Sequence, residues 1–383
     1  MGVPLFDTSS PLEPLRDELR AAVARVLDSE RYILGPEVAA FEREFASYCG
    51  CGHAVGVANG TEALTIALRA IGVGPGDDVV VPSFTFYASA EAIPPTGARP
   101  VFCDIDPDTY CVTAETVRAA LTPRTKAVIA VHLFGNVAPV AEIEALGVPV
   151  LEDAAQAAGS TAGHGEARLS DDARPSGEAH SGAPARPGAL GTAATFSFFP
   201  SKNLGCFGDG GMITTSDEAL AERARVLRFH GSHDKVNYEQ VGYNSRLDEL
   251  QAAVLRVQLP HLDTWADGRR EAGRHYERAG LGKLVSLPRP APGASPAWHL
   301  YVVAHPEVER LEAALGAAGI GCRPYYRTPV HRQPAMREWG AGVELPATEH
   351  AARTHLAIPV SPVLGQEQAD EVVAAATAAL AGD

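Results

Sequence analysis

The sequence predicts an α/β protein in which a large, mostly parallel open sheet is followed by a smaller α/β unit. Short apolar segments typical of buried strands alternate with segments of helix length, and this alternation is typical of parallel βαβ units. The chain has 383 residues, more than one compact domain usually holds. We therefore expect a large domain over residues 1–250 and a small domain over residues 251–383.

The first half of the chain carries most of the predicted sheet. Helical spacing of apolar residues predicts helices over Arg16–Ser29 and Glu37–Cys49, before the first strand. A third helix, which ends at Ile71, follows that strand, and short apolar runs predict more strands after it. The predicted strands are His53–Ala58, Asp78–Pro82, Pro100–Cys103, Ala127–His132 and Val148–Glu152, with a helix over Ala114–Leu121 before the fourth.

Residues 164–188 break this alternation. They are rich in glycine, proline, serine, alanine and charge, so we interpret them as an inserted loop, mobile unless a ligand or a second subunit orders it. A long helix is then predicted over Leu250–His275. The last predicted elements are a strand over His299–Val303 and helices over Val308–Ala318 and Gln366–Leu380.

Composition and charge argue against several classes of function. Acidic residues outnumber basic ones 47 to 32, and the net charge of −15 argues against DNA, RNA or an anionic membrane as the main partner. The chain has no run of about 18 apolar residues and no secretory signal at its start, so we expect a cytoplasmic protein. The six cysteines fit free thiols, and the Cys49–Cys51 spacing is poor for a metal, so we expect no metal site.

The segment Asn59–Glu62 follows a predicted strand and opens a predicted helix. Asn59 can cap this helix, and Glu62 can return the hydrogen bond in a capping box. Gly60 and Thr61 would then present free amide groups and a hydroxyl at a helix N-terminus, where proteins often bind phosphate. An ordinary capped helix is the alternative.

Two other segments place an ionisable side chain at the end of a buried strand. Asp153 closes one strand, and its carboxylate needs a cation such as a protonated ring nitrogen; a helix cap or a core salt bridge is the alternative. Lys202 lies between a strand and a glycine-rich turn, where loss of water lowers the pKa of an amine towards a nucleophilic form. The other three lysines have settings typical of solvated charges: Lys126, Lys235 and Lys283.

These three segments resemble the sugar aminotransferases of the DegT/DnrJ/StrS type, which are fold-type I enzymes that use pyridoxal 5′-phosphate (PLP). The resemblance covers nearly the whole chain, with ordered motifs at the expected separations. It implies a doubly wound, mostly parallel sheet domain and a smaller C-terminal α/β domain. The matching motifs are Tyr32–Pro36, Asn59–Glu62, Pro82–Phe86, Glu152–Gln156, Ser201–Asn203 and Gly242–Leu247.

The resemblance implies a role for each matching residue. Lys202 would hold PLP as an internal Schiff base and shuttle the proton, and Asp153 would pair with the pyridinium nitrogen. Phe86 would stack on the ring, although core packing is the alternative, and Gln156 would lie near the phenolic oxygen. The phosphate would be bound by Gly60, Thr61 and Ser197, and by Asn244 of the neighbouring subunit, which implies a homodimer with shared sites.

The resemblance also implies the reaction. We expect transfer of an amino group from L-glutamate to a nucleotide-linked keto-deoxysugar, a dTDP-4-keto-6-deoxyhexose, at C-4, with C-3 as the open alternative. Pyridoxamine 5′-phosphate would be the intermediate form of the cofactor. Tyr32 and His331 are candidate substrate contacts, and for His331 a structural role is the alternative. Related chains cross from the Asp153 motif to the Lys202 strand in fewer residues. We therefore expect the inserted segment 164–188 to be anchored near the substrate mouth.

Two other functions stay open at this point. A PLP-dependent nucleotide-sugar dehydratase shares the fold, but it typically has histidine in place of the lysine. A non-catalytic regulator of the same fold would be expected to have lost Lys202 or Asp153. Both residues are present.

Overall fold

The computed structural model describes residues 2–163 and 185–380 of the chain. Seven strands in this part form one sheet, and two more form a separate antiparallel pair. The strands of the large sheet are β1 His53–Val57, β2 Asp78–Pro82, β3 Arg99–Cys103, β4 Thr125–Val131, β5 Val150–Asp153, β6 Ala193–Ser197 and β7 Gly211–Thr215, and the separate pair is β8 Tyr301–Ala304 and β9 His355–Ile358.

The large sheet is mostly parallel, as predicted. Its strand order is β1-β7-β6-β5-β4-β2-β3. The five neighbouring strands β6, β5, β4, β2 and β3 are parallel to one another. Only β7 runs against its neighbours, β6 and β1. The carboxyl ends of β2, β5 and β6 therefore meet at one edge of the sheet, where ligands of open α/β sheets bind.

Helices cover both faces of this sheet, which explains why its central strands are apolar throughout. Val79, Val80 and Val81 of β2, for example, are completely buried although successive side chains point to opposite faces. The helices are α1 Arg16–Ser29, α2 Pro36–Cys49, α3 Gly60–Ile71, α4 Ala88–Glu91, α5 Ala114–Ala120, α6 Val140–Glu144, α7 Glu218–Arg228, α8 Glu249–Gln258, α9 Leu262–Arg278, α10 Val308–Ala317, α11 Arg337–Gly340, α12 Pro346–Thr354 and α13 Gln366–Leu380. No helix of the described part is both long and apolar enough to cross a bilayer.

Besides the core of the large sheet, a separate cluster of buried apolar side chains lies around β8, β9, α9, α10 and α13. It is drawn from residues 272–379, with Val3 as its single member from the start of the chain. Val3 is tied to this cluster by a hydrogen bond from the Gly321 N–H to its carbonyl, at 2.8 Å. The division into domains at residues 250 and 251 stays a prediction.

The prediction of one continuous helix over Leu250–His275 is wrong, because the structure has two helices there. Helix α8 ends at Gln258, a short 3-10 turn covers Leu259–His261, and α9 begins at Leu262. Pro260 causes the break, because proline has no N–H to continue the helical hydrogen-bond ladder. Strand β7, helix α7 and the β9 strand were not predicted from the sequence, since their short or mixed polar patterns resemble loops.

The two described ends of the inserted segment are hydrogen bonded to each other. Ala162 donates its N–H to the carbonyl of Ala185 at 2.8 Å, and Thr192 donates to the carbonyl of Val150, the first residue of β5, at 3.0 Å. Since β5 and β6 are parallel, their connection has to return to the amino edge before β6 begins. The expectation that this segment is anchored near the substrate mouth stays a prediction. Residues 164–184 lie outside the described residues, so the mobility expected for them stays a prediction.

Candidate active site

Lys202 lies in the turn that follows β6. The turn is closed by backbone hydrogen bonds from the Lys202 N–H to the Phe199 carbonyl and from the Cys206 N–H to the Phe198 carbonyl, both at 2.8 Å. Burial lowers the pKa of the Lys202 amine to about 8, and the nearby charge of Asp153 opposes part of this shift. A substantial fraction of the amine is therefore neutral and nucleophilic near neutral pH.

Asp153 is the last residue of β5, and 6% of its surface is exposed. Ser89 donates a hydrogen bond to Oδ2 at 2.7 Å, and the backbone N–H of Ala155 donates to Oδ1 at 3.2 Å. Among residues 2–163 and 185–380, no lysine, arginine or histidine side chain forms an ion pair with this carboxylate. A buried carboxylate with two neutral donors can accept a cationic group of a ligand.

The first turn of α3 contacts the end of β6. The Asn59 side chain caps α3 by accepting a hydrogen bond from the Glu62 N–H at 2.8 Å, as predicted. A Cβ atom on Gly60 would lie 2.8 Å from the Cβ atom of Ser197, so the two segments approach as closely as glycine allows. Gly60, Thr61 and Ser197 thus border a helix N-terminus with free amide groups.

The predicted return bond from Glu62 is absent from the described structure. The Oε2 atom of Glu62 is buried and has no hydrogen-bond partner among those residues. The cap therefore rests on Asn59 alone, and the capping box expected from the sequence is wrong.

Gln156 follows Asp153 at the same edge of the sheet. Its Oε1 atom accepts a hydrogen bond from the Phe134 N–H at 2.6 Å, and its Nε2 atom donates to the hydroxyl of Tyr326 at 3.2 Å. The ring of Phe86 is 56% exposed, and its centroid lies 6.1 Å from that of Tyr326. Exposure on this scale argues against the core-packing alternative for Phe86 and leaves one face of its ring free for a planar ligand.

Two residues that lie at the site were not predicted from the sequence. Tyr326 contacts both Gln156 and Phe86, although 170 residues separate it from Gln156 in the chain. His299 is buried beside Lys202, and its Nδ1 atom lies 3.3 Å from Oδ1 of Asn203. Burial first, and then the charges of Lys202 and Arg269, hold the pKa of His299 well below its ordinary value, so the ring is neutral.

Asn244 and Tyr32 lie at the surface of the single chain. The side chain of Asn244 is exposed and accepts a hydrogen bond from Arg246. Tyr32 is 46% exposed, and its carbonyl accepts a hydrogen bond from the N–H of Glu249 at 3.0 Å. Neither side chain contacts Lys202 or Asp153 in the described part of the chain, and their roles stay predictions.

His331 does not reach the site as a substrate contact in this structure. It is 2% exposed, and its Nδ1 atom lies 2.6 Å from Oγ of Ser83, just beyond β2. Its backbone N–H donates to the same oxygen at 3.0 Å. The structure therefore favours the structural alternative for His331, because an imidazole enclosed in this way has no open face for a substrate.

The sequence of this chain is similar to those of known aminotransferases. The family model described as "DegT/DnrJ/EryC1/StrS aminotransferase family" matches residues 14–377. A protein named "dTDP-3-amino-3,4,6-trideoxy-alpha-D-glucose transaminase", from Streptomyces venezuelae, is 46% identical over 97% of this chain and 94% of its own length. A "Pleiotropic regulatory protein" from Geobacillus stearothermophilus is 43% identical over 97% of both chains.

The fold agrees with solved structures. The crystal structure of S. venezuelae DesV in complex with a ketimine intermediate has a TM-score of 0.89 and 44% identity, over 98% of this chain and 97% of that one. The agreement extends over nearly the whole length of both chains.

Proposed function

The chain belongs to the DegT/DnrJ/EryC1/StrS aminotransferase family, and on this premise we propose that it transfers an amino group to a keto group of a nucleotide-linked deoxysugar. The cofactor of these aminotransferases is PLP. The observation that carries the proposal is the pairing of Asp153 with Lys202. The buried carboxylate of Asp153 forms no ion pair in the described residues, and the amine of Lys202 near it has a pKa lowered to about 8.

The residues present fit PLP. The close approach of Gly60 to Ser197 leaves a helix N-terminus open for a phosphate, and Asp153 can pair with a protonated ring nitrogen. The exposed face of Phe86 fits a planar ring, and the second N–H of the Gln156 amide is free for the phenolic oxygen. When bound, PLP supplies a carbon that accepts an amino group and a ring that accepts electrons from the neighbouring carbon.

The side chains of this protein hold and move protons around that group. Lys202 would hold the cofactor covalently through Nζ, and, once released, would take a proton from the donor carbon and return one to the sugar carbon. A pKa of about 8 suits both tasks, since the amine can exchange a proton near neutral pH. The negative charge of Asp153 would keep the ring nitrogen protonated, and the hydrogen bond from Ser89 holds its carboxylate in one orientation.

We further propose a dTDP-linked 3-keto sugar as the acceptor and L-glutamate as the donor. The S. venezuelae relative has a name that places the amino group at C-3. This name supports C-3 over the C-4 position that the sequence weakly favoured. We keep Tyr32, which is 46% exposed, as a proposed contact of the sugar.

The test is the product formed by the purified, PLP-loaded protein from glutamate and a panel of dTDP-linked 3-keto and 4-keto deoxysugars. Nuclear magnetic resonance of the product identifies the aminated carbon. The proposal expects an amino sugar aminated at C-3. Amination only at C-4 would overturn the position, and no amino sugar from any member of the panel would overturn the substrate class.

Two alternatives are weaker. A dehydratase of this fold would typically have histidine at position 202, where this chain has lysine. A regulator is suggested by the name of the G. stearothermophilus relative. Lys202 and Asp153 are nevertheless both present and electrostatically coupled, and a chain without catalytic function would have no need of either feature.

We also propose a cytoplasmic homodimer with shared sites. Large apolar side chains are exposed on the single chain close to the site, among them Phe199 and Phe207, and a partner would cover them. Mixing inactive Lys202→Ala and inactive Asn244→Ala proteins tests the sharing. A heterodimer would hold one site with both native residues, so activity should return. No recovery after proven subunit exchange would contradict shared sites.

A further inference from the structure

The phenolic hydroxyl of Tyr326 lies at the site and retains a proton that it can donate. Its oxygen accepts a hydrogen bond from Nε2 of Gln156 at 3.2 Å. The orientation of that amide is fixed, because its Oε1 atom accepts from the Phe134 N–H at 2.6 Å. Tyr326 is therefore the acceptor in its bond with Gln156, and no residue in the described ranges accepts its own proton.

The position of Tyr326 over the sheet edge is fixed by the residues that follow it. The Val330 N–H donates to the carbonyl of Ser83 at 2.9 Å, and the backbone N–H of His331 donates to the Ser83 hydroxyl at 3.0 Å. The Ser83 hydroxyl in turn can donate to Nδ1 of His331, 2.6 Å away. These bonds attach the segment that carries Tyr326 to the carboxyl end of β2.

The surroundings of the ring keep the hydroxyl protonated and aligned. The ring packs against that of Phe134 at 18°, with the centroids 6.3 Å apart, and lies 6.1 Å from that of Phe86. Burial, with a contribution from the charge of Asp153, raises the pKa of Tyr326 above its ordinary value. A tyrosine with a raised pKa keeps its proton near neutral pH and can donate a hydrogen bond.

We propose that Tyr326 donates a hydrogen bond to a ligand oxygen that lies beside the Gln156 amide. The inference rests on the proposed function for the identity of the ligand. Two oxygens have the required chemistry: the phenolic oxygen of the cofactor, and an oxygen of one of the two substrates. In either case Tyr326 and Gln156 would form a pair of donors on one acceptor.

The variant Tyr326→Phe removes this hydroxyl and keeps the ring. Tyr325→Phe is the matched control, because it removes a hydroxyl from the adjacent residue that does not contact Gln156. Both PLP-loaded proteins are titrated with acid and base while the cofactor absorbance is followed without substrate. Apparent KM values are then measured separately for glutamate and for the keto sugar, and thermal unfolding shows that both variants fold.

A donor to the phenolic oxygen stabilises the deprotonated form of the bound cofactor, because that form has the more negative oxygen. If this oxygen is the acceptor, Tyr326→Phe should raise the midpoint of the absorbance titration by about one pH unit. If a substrate oxygen is the acceptor, the midpoint should stay and the apparent KM of one substrate should rise about tenfold. Either result supports the inference.

The inference is overturned if Tyr326→Phe matches Tyr325→Phe in the titration and in both KM values. The two proposals can fail separately. If the wild-type protein does not act on the keto sugar, the proposed function fails, while the titration and the glutamate KM still decide the role of Tyr326.

Discussion

A Cβ atom placed on Gly60 would lie 2.8 Å from the Cβ atom of Ser197, closer than carbon atoms pack in proteins. The first turn of α3 and the end of β6 can approach this closely only because position 60 lacks a side chain. The first turn of α3 and the Ser197 side chain consequently lie side by side. This contact shapes the proposed phosphate site and makes it sensitive to a single methyl group.

Gly60→Ala should weaken PLP binding by at least about tenfold, because the added methyl group forces α3 and β6 apart. The measurement is a titration of the apoprotein with PLP, followed by absorbance. Gly74→Ala is the matched control, since a Cβ atom there meets no atom within 4 Å. Equal affinities for PLP in the two variants would show that the phosphate lies elsewhere.

Asp153→Asn should lower the turnover rate by about a hundredfold or more while the fold survives, since asparagine keeps the shape but not the charge opposite the ring nitrogen. Stopped-flow measurement of the glutamate half-reaction checks this. Asp209→Asn is the control, because Asp209 is an exposed carboxylate in the same glycine-rich turn region as Lys202. A near-normal rate in Asp153→Asn would mean that Asp153 is not the carboxylate opposite the ring nitrogen.

The pH dependence of cofactor attachment follows from Lys202. Burial lowers its pKa to about 8, so the amine is protonated and unreactive below that pH and neutral above it. The rate of PLP attachment to the apoprotein should rise about tenfold per pH unit up to roughly pH 8 and then level off. In Asp153→Asn the midpoint should fall, because the charge that opposes the shift is gone. A midpoint near 10.5 in the wild type would mean that the amine is not desolvated.

Replacing residues 163–184 with a short glycine-serine turn should leave the fold and PLP binding intact. Ala162 and Ala185 are hydrogen bonded to each other, and Leu190 and Gly191 donate to Glu152 at 2.9 Å, so the flanking chain is fixed without the segment. The melting temperature should stay within about 2 °C of the wild type, and the PLP dissociation constant should not change. A large loss of either would show that the segment supports the core or the site.

The sequence predicted the site better where its residues are close in the chain. Asp153 and Gln156 are three positions apart at the end of one apolar strand, and Asn59 caps the helix that carries Gly60, so each pair belongs to one short motif that the family resemblance could match. The role of Lys202 was suggested by its setting between an apolar strand and a glycine-rich turn. Tyr326 had no such signal, because its contact with Gln156 joins segments 170 residues apart.

The errors have physical causes of the same kind. The capping box failed because a spacing of three residues permits the return bond from Glu62 without requiring it. For His331 the sequence left a substrate contact and a structural role open, because burial against Ser83 is a tertiary effect that no local pattern records.

The most direct test of the central claim is to reduce the PLP-loaded protein with borohydride and to map the cofactor by peptide mass spectrometry. The claim is that the desolvated amine of Lys202, beside Asp153, holds the cofactor. We predict a loss of the visible absorbance and one modified peptide, with the added mass on Lys202 and none in the Lys202→Ala protein. The added mass on Lys126, Lys235 or Lys283, or an unmodified Lys202 in protein that binds PLP, would contradict it.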